Sequence, residues 1–175
     1  MKTPDSPPVQ DRHEGFRRVA AWLARHRHPH AAVFLDVAAR TAHEAADALG
    51  VGVGQIAKSV VFRRVADNAA VLVVTSGDRR VDERKVNALV GPVGRADAKF
   101  VKDRTGFAIG GVSPVGHAVV PVLLIDRELF RFDDIWAAAG HPNGVFRSSP
   151  SALVGLTGAP VEDVVQDAVP AAVKT

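Results

Sequence analysis

The chain has 175 residues, 47% hydrophobic and 23% charged, the balance of a folding globular domain rather than a disordered chain. It contains no cysteine, which excludes a disulfide scaffold, a thiol nucleophile, an iron–sulfur cluster and a cysteine zinc site. Net charge is +3 but uneven: residues 1–104 carry 18 Lys and Arg against 12 Asp and Glu, whereas residues 105–175 carry 4 against 7, a distribution that suits a polyanionic partner such as RNA.

Residues 1–10 hold three prolines and few apolar groups and are expected to form a flexible tail. One domain is expected over 11–168, followed by a second short tail at 169–175. Phe16, Val19, Ala20 and Leu23 repeat with the spacing of one helix face, and Pro29 stops that helix near Arg27. Ala32–Leu35 reads as a short strand. Thr41 and Glu44 form a capping-box pattern, opening a helix that ends at Gly50. A short turn is expected over Gln55–Ala57. Ser59–Arg64 and Ala69–Thr75 then form a hairpin around Ala66-Asp67-Asn68. Helices are expected over Val81–Val90 and Lys99–Arg104. Phe107–Ile109 reads as strand-like, Gly110–Gly116 as a loop, and Pro121–Ile125 as a buried strand. Ile135–Ala139 and Val145–Arg147 are expected beside the same sheet. Ser149-Pro150 supplies an N-cap and a proline at the first helical position, opening a helix to Leu153 or Val154. Val161–Val165 is a last strand or short helix. The elements mix without regular βαβ alternation, so the expected class is α+β: a single domain with a mixed, curved, barrel-like sheet and short helices around it.

Three motifs are weak. Gly52-Val-Gly54-Gln-Ile-Ala57 fits a relaxed dinucleotide fingerprint, but a capped helix precedes it where a strand is required. His26, His28 and His30 have no carboxylate at ligand spacing and read as a solvated helix end. Around Ser113 the glycine spacing is one residue too long for a nucleophile elbow, and Pro114 follows the serine. A Ser113–His117 nucleophile and base would make a small-molecule ester hydrolase, an alternative left open. Low aromatic content, with eight Phe, two Trp and no Tyr, argues against a base-stacking single-strand binder. No apolar run approaches the ~18 residues of a membrane helix. The first residues lack a hydrophobic leader core, so a cytoplasmic location is expected.

Two features stand out. Lys58 sits between apolar neighbours in Gln55-Ile-Ala-Lys58-Ser-Val-Val-Phe62, and a lysine there either snorkels to solvent or serves as a fixed cation near an anionic or carbonyl group. Thr105-Gly-Phe-Ala-Ile-Gly-Gly-Val-Ser-Pro-Val-Gly-His117 has a glycine-rich path that can aim several N–H groups at one oxyanion. With Ser76-Gly-Asp-Arg-Arg-Val-Asp-Glu-Arg-Lys-Val86, these segments resemble the YbaK and prolyl-tRNA-synthetase-associated editing domain family. The likeness runs from about Val33 to Val164, and Gly110 to Pro114 fits that family's G-x-x-x-P signature.

The resemblance implies a free-standing hydrolase that deacylates mischarged tRNA, chiefly tRNA for proline carrying cysteine or another small amino acid. It implies Lys58 as the functional lysine, at the terminal nucleotide or the aminoacyl group, and a loop walling the aminoacyl pocket. Backbone N–H groups of Gly110, Gly111, Val112 and Ser113 are the expected oxyanion donors. Pro114, Val115, Gly116, His117, His141 and Asn143 are the expected substrate contacts. Arg63, Arg64, Arg79, Arg80, Arg84 and Lys85 are candidates for tRNA phosphates, which would make binding steeply salt-dependent. No cofactor or metal is implied. Transient association with a prolyl-tRNA synthetase is, and a non-catalytic tRNA- or synthetase-binding module of the same fold is the other alternative.

Overall fold

The computed structural model describes residues 13–167. The tails expected at 1–10 and 169–175 lie outside the described residues. Helix α1 (Glu14–Arg25) buries the stripe Phe16, Val19 and Leu23. Strand β1 is Val33–Phe34. In α2 (Ala42–Leu49) the Thr41 hydroxyl accepts the Glu44 N–H at 3.1 Å, and Gly50 closes the helix at φ +67°. Glu44 reaches the Arg40 N–H at 2.9 Å, one residue before the cap.

A 3-10 turn, Val53–Gln55, feeds straight into β2 (Ile56–Arg64), so the strand starts three residues before Ser59 and Lys58 lies inside it. The sequence pattern misses this because Ala57 and Lys58 are not β-branched. The hairpin to β3 (Ala70–Ser76) turns at Asn68, with φ +58°, and Asp67 takes two hydrogen bonds from Arg64.

Helix α3 (Glu83–Val90) is capped by Asp82, while Val81 bridges to Val165 instead of entering the helix. Strand β4 (Val93–Arg95) was unexpected. Helix α4 (Ala98–Thr105) follows an Asp97 cap. Phe107–Ile109 is not a strand: left-handed glycines at 106 and 110 turn the backbone on both sides, although the Phe107 ring is buried. The remaining elements are β5 (Val122–Asp126), a 3-10 turn (Arg127–Arg131), β6 (Ile135–Ala138), β7 (Gly144–Ser148), α5 (Pro150–Thr157) and β8 (Val161–Glu162).

All eight strands belong to one mixed sheet, ordered β1-β7-β6-β2-β3-β5-β8, with β4 also on β2. The sheet stays open, with β1 and β8 at its ends. One face packs against α1 and α5 through Leu23, Leu72, Phe107, Phe146 and Leu153. The other packs against α3 through Phe62, Val73, Val86 and Leu124. Among the described residues no helix is long and apolar enough to cross a membrane.

One irregularity positions the site. Strand β3 pairs with β2 from Ala57 to Arg63 along one edge. The opposite edge is shared: β6 pairs in parallel at Ile56 and Ala57, and β4 pairs at Phe62–Arg64. Residues 58–61 of β2 have no strand on that edge, leaving a slot in the middle of the sheet. The Arg64 N–H bonds Ala69 on the β3 side and the Val65 N–H bonds Pro92 on the β4 side. Alternation along the strand therefore turns the N–H and C=O of Ser59 and Val61 into the slot.

Candidate active site

Lys58 stands at the slot, half-buried. Its ammonium makes no hydrogen bond or ion pair among the described residues. Burial pulls its pKa below that of an ordinary lysine, the nearby Arg80 adds to the effect, and Asp78 opposes it. Asp78 is itself held by Arg131 at 2.7 Å and Arg79 at 3.2 Å, so it is not free to pair with Lys58.

The slot opens into a cavity of about 120 Å³, walled by Ala42, Ala45, Ile56, Ala57, Trp136, Ala137 and Val145. Lys58, Ser59, Gly110, Val112 and His141 also line it, with Arg40 and Thr41 at the rim. Residues from β2, β6, α2 and the glycine loop thus converge. Two backbone constraints explain the loop's composition. Gly110 has φ +92°, a conformation a side chain resists. A Cβ on Gly111 would lie 2.8 Å from the backbone N, Cα and C of His141, so the loop seats directly on the 141–142 backbone.

Of the expected oxyanion donors, Gly110 and Val112 line the cavity and their N–H groups bond nothing among the described residues. The Gly111 N–H is spent on the Ala108 carbonyl at 3.1 Å. Ser113 is fully buried, and its Oγ accepts the Val115 N–H at 3.2 Å. The structure places Pro114, Val115, Gly116 and His117 elsewhere, in a second cavity of about 580 Å³ beside Trp22 and Leu123. The chain crosses between the two cavities at Ser113, so the loop is not one wall. Arg18 secures its far end by donating to the Gly116 carbonyl at 2.7 Å while lying over the Phe107 ring.

His117 does not face the Ser113 hydroxyl. Its Nε2–H donates to the Ser113 carbonyl at 2.6 Å, which leaves no base for that serine and removes the geometry of the hydrolase alternative. Burial holds the ring neutral, with its pKa lowered to about 4 from 6.5. The unfolded chain therefore takes up this proton first. The contribution is intact above ~6.5 and is lost as pH falls toward ~4, by up to about 3 kcal/mol. Urea unfolding at pH 7 and pH 4.5 should show that loss, and His117→Gln should reduce it.

His141 lines the cavity, and its Nδ1 accepts the Asn143 N–H at 3.0 Å, which puts the ring proton on Nε2. Burial and the neighbouring His13, 4.0 Å away between ring centroids, lower its pKa. Asn143 does not line the cavity; its amide donates to the Leu35 carbonyl at 2.9 Å and ties β1 to the β6–β7 turn. His28 bonds the Arg147 carbonyl at 2.7 Å and packs edge-on to Phe146, so it belongs to the fold rather than to a solvated helix end.

The basic residues divide. Lys85 donates to Asp163, Asp167 and the Val165 carbonyl, pinning α3 to the segment after β8. Arg64 is committed to Asp67, and Arg79 to Asp78. Arg84 pairs with Asp82 at 3.3 Å but is largely exposed. Arg63 and Arg80 are exposed, with no ion pair among the described residues. Arg80, Arg84 and Gln166, together with the acidic Asp82 and Glu83, line an open groove of about 560 Å³ that Lys58 also borders.

A family model for the aminoacyl-tRNA editing domain matches residues 36–156, which include Lys58, the glycine loop and His141. The chain belongs to the aminoacyl-tRNA editing domain family. The uncharacterized protein YwhH of Bacillus subtilis (strain 168) is 34% identical over 119 residues, covering 67% of this chain and 75% of YwhH. The proline--tRNA ligase of Desulfotalea psychrophila is 32% identical over 107 residues, 59% of this chain but only 18% of that enzyme. The crystal structure of a protein described as a candidate trans-editing enzyme for prolyl tRNA synthetase superposes with a TM-score of 0.82 at 42% identity. That match covers 88% of this chain and 98% of the other. The single α+β domain with a mixed sheet read from the sequence is thus the fold of this editing-domain neighbour, although the sheet is open rather than barrel-like.

Sequence reasoning missed Ser59, Trp136 and the alanines of α2 and β6 as cavity walls. Ser59 had a signal, adjacency to Lys58. The alanines had none, because a small wall residue looks like any helix or strand alanine.

Proposed function

We propose that this editing domain acts in trans as a deacylase of mischarged tRNA, with tRNA for proline carrying cysteine or another small amino acid as its substrate. The observation that carries the reading is the position of Lys58, which borders both the small alanine-walled cavity and the groove of Arg80 and Arg84. An aminoacyl ester has two such ends: a small side chain, and a ribose with its phosphates.

In this reading the aminoacyl group enters the cavity and the terminal phosphate lies over Arg80 and Arg84. Lys58 holds the junction. Water attacks the ester carbonyl carbon, and the N–H groups of Gly110 and Val112 receive the oxyanion. The tetrahedral intermediate then expels the ribose oxygen, which takes up a proton, leaving a free amino acid and a deacylated tRNA. One such donor is worth ~10²–10³ in rate. The ester is already activated by its ammonium group and the vicinal hydroxyl, so no protein nucleophile is required. The work is positioning and charge stabilisation. A prolyl-tRNA synthetase is the partner that would hand over the mischarged tRNA, in line with the ligase and trans-editing relatives.

The test is deacylation of a panel of tRNAs for proline charged with cysteine, alanine, serine and proline. Release of a small non-cognate amino acid well above the buffer rate, with proline spared, is the expected result. Binding without any release would favour the non-catalytic module.

A further inference from the structure

Among the described residues, one buried side-chain hydroxyl has no hydrogen-bond partner: Ser59 Oγ. Ser59 lines the Lys58 cavity, and its backbone N–H and C=O also lie on the unpaired edge of β2. Buried polar groups are nearly always paired, and leaving one unpaired costs free energy. The orphan hydroxyl thus marks a place where a ligand atom can complete the structure.

Few other side chains of the cavity compete for this contact. Its walls are Ala42, Ala45, Ile56, Ala57, Trp136 and Ala137. Thr41, at the rim, already caps α2, and the Nδ1 of His141 already accepts the Asn143 N–H. Lys58 and Arg40 are charged. Among the described residues Ser59 is therefore the cavity hydroxyl with no partner of its own, placed with the Nε2–H of His141 to answer a small polar group.

We propose that Ser59 reads the side chain of the bound aminoacyl group, so that the cavity takes a small amino acid with a hydroxyl or thiol on its Cβ in preference to alanine. This deepens the deacylase reading above and rests on it. Volume alone discriminates poorly against something smaller than the true ligand: alanine fits wherever serine fits. A hydrogen bond separates them, because an alanyl group leaves Ser59 unpaired and a seryl or cysteinyl group pairs it.

The decisive comparison uses tRNA for proline charged with serine, cysteine, alanine and 2-aminobutyrate, the last having a methyl group in place of the thiol. The native chain is expected to hydrolyse the seryl and cysteinyl esters about tenfold faster in kcat/KM than the other two. Ser59→Ala is expected to erase that difference by slowing the first pair about tenfold, with the alanyl and 2-aminobutyryl rates within about twofold of the native chain. Its melting temperature should not fall, since no partner is lost. Equal slowing of all four esters would assign Ser59 to the strand or to the common ammonium group and overturn the proposal. Equal native rates on cysteine and 2-aminobutyrate would overturn it too. No hydrolysis of any ester would overturn the deacylase reading itself, whereas hydrolysis without discrimination would overturn only the role of Ser59.

Discussion

Lys58→Ala is expected to reduce deacylation at least ~10²-fold while leaving the fold intact, since a single positioned charge or donor at a reacting centre has that worth. The structure separates the two effects. Lys58 has no hydrogen bond or ion pair among the described residues, so its removal strands no partner. Burial already disfavours its charge, so alanine removes a desolvation cost. Mischarged-tRNA deacylation and a thermal melt, run on the same sample, check both halves. Native-like rates in the variant would remove Lys58 from the mechanism. The pH profile adds a second reading. Because the lysine's pKa is lowered, its charge is lost sooner as pH rises than that of a free lysine. The enzyme-dependent rate, after subtraction of spontaneous hydrolysis, should turn down on the alkaline side, and Arg80→Ala should move that limb to higher pH.

Gly111→Ala is the second large effect. The new Cβ meets three backbone atoms of His141 at 2.8 Å, and backbone cannot swing aside as a long side chain can. The loop must lift, carrying Gly110 and Val112 away from the cavity. Displacement of catalytic groups by ~1 Å can cost ~10² in rate, and overpacking of this kind costs about 1–3 kcal/mol of stability. Gly155→Ala is the matched control, because its Cβ would enter open space on α5 and should stabilise that helix by about 0.5–1 kcal/mol. A Gly111 variant as active as the control would show that the close approach is dispensable.

Much of the fold was legible because its signals are local. The caps at Thr41 and Ser149, the Asp67-Asn68 turn and the apolar stripe of α1 each act within a few residues, and the structure contains them all. Strand β4 was not legible: Val93-Gly-Arg95 is too short to show a period, and its pairing with Phe62–Arg64 is a tertiary event. Phe107–Ile109 misled for the opposite reason, since its apolar residues serve the core from a turn. The site divides in the same way. Lys58 and Gly110 lie within short motifs that can be read in sequence. That Val115 and His117 face a different cavity from Val112 depends on where the chain crosses at Ser113, and composition does not encode that crossing. The salt bridges of Lys85 were equally hidden, because Asp163 and Asp167 are about eighty residues away in sequence.

The slot beside Lys58 has a mechanical consequence. The β1-β7-β6 half of the sheet joins the β2-β3-β5-β8 half through two ladder positions, Ile56–Trp136 and Ala57–Ala137. Beyond these and the Gln55 amide, which donates to the Asp134 carbonyl at 3.1 Å at the foot of the joint, side-chain packing unites them, with Ile135, Ala137 and Phe146 pressed into the same cluster as Leu72 and Val74. Hydrogen bonds fix a spacing, whereas packing adapts it to the volume between two surfaces. The width of the slot is therefore an adjustable dimension, set from behind by residues that never meet the ligand. A methylene more or less at Ile135 acts on it like a shim under a vise jaw.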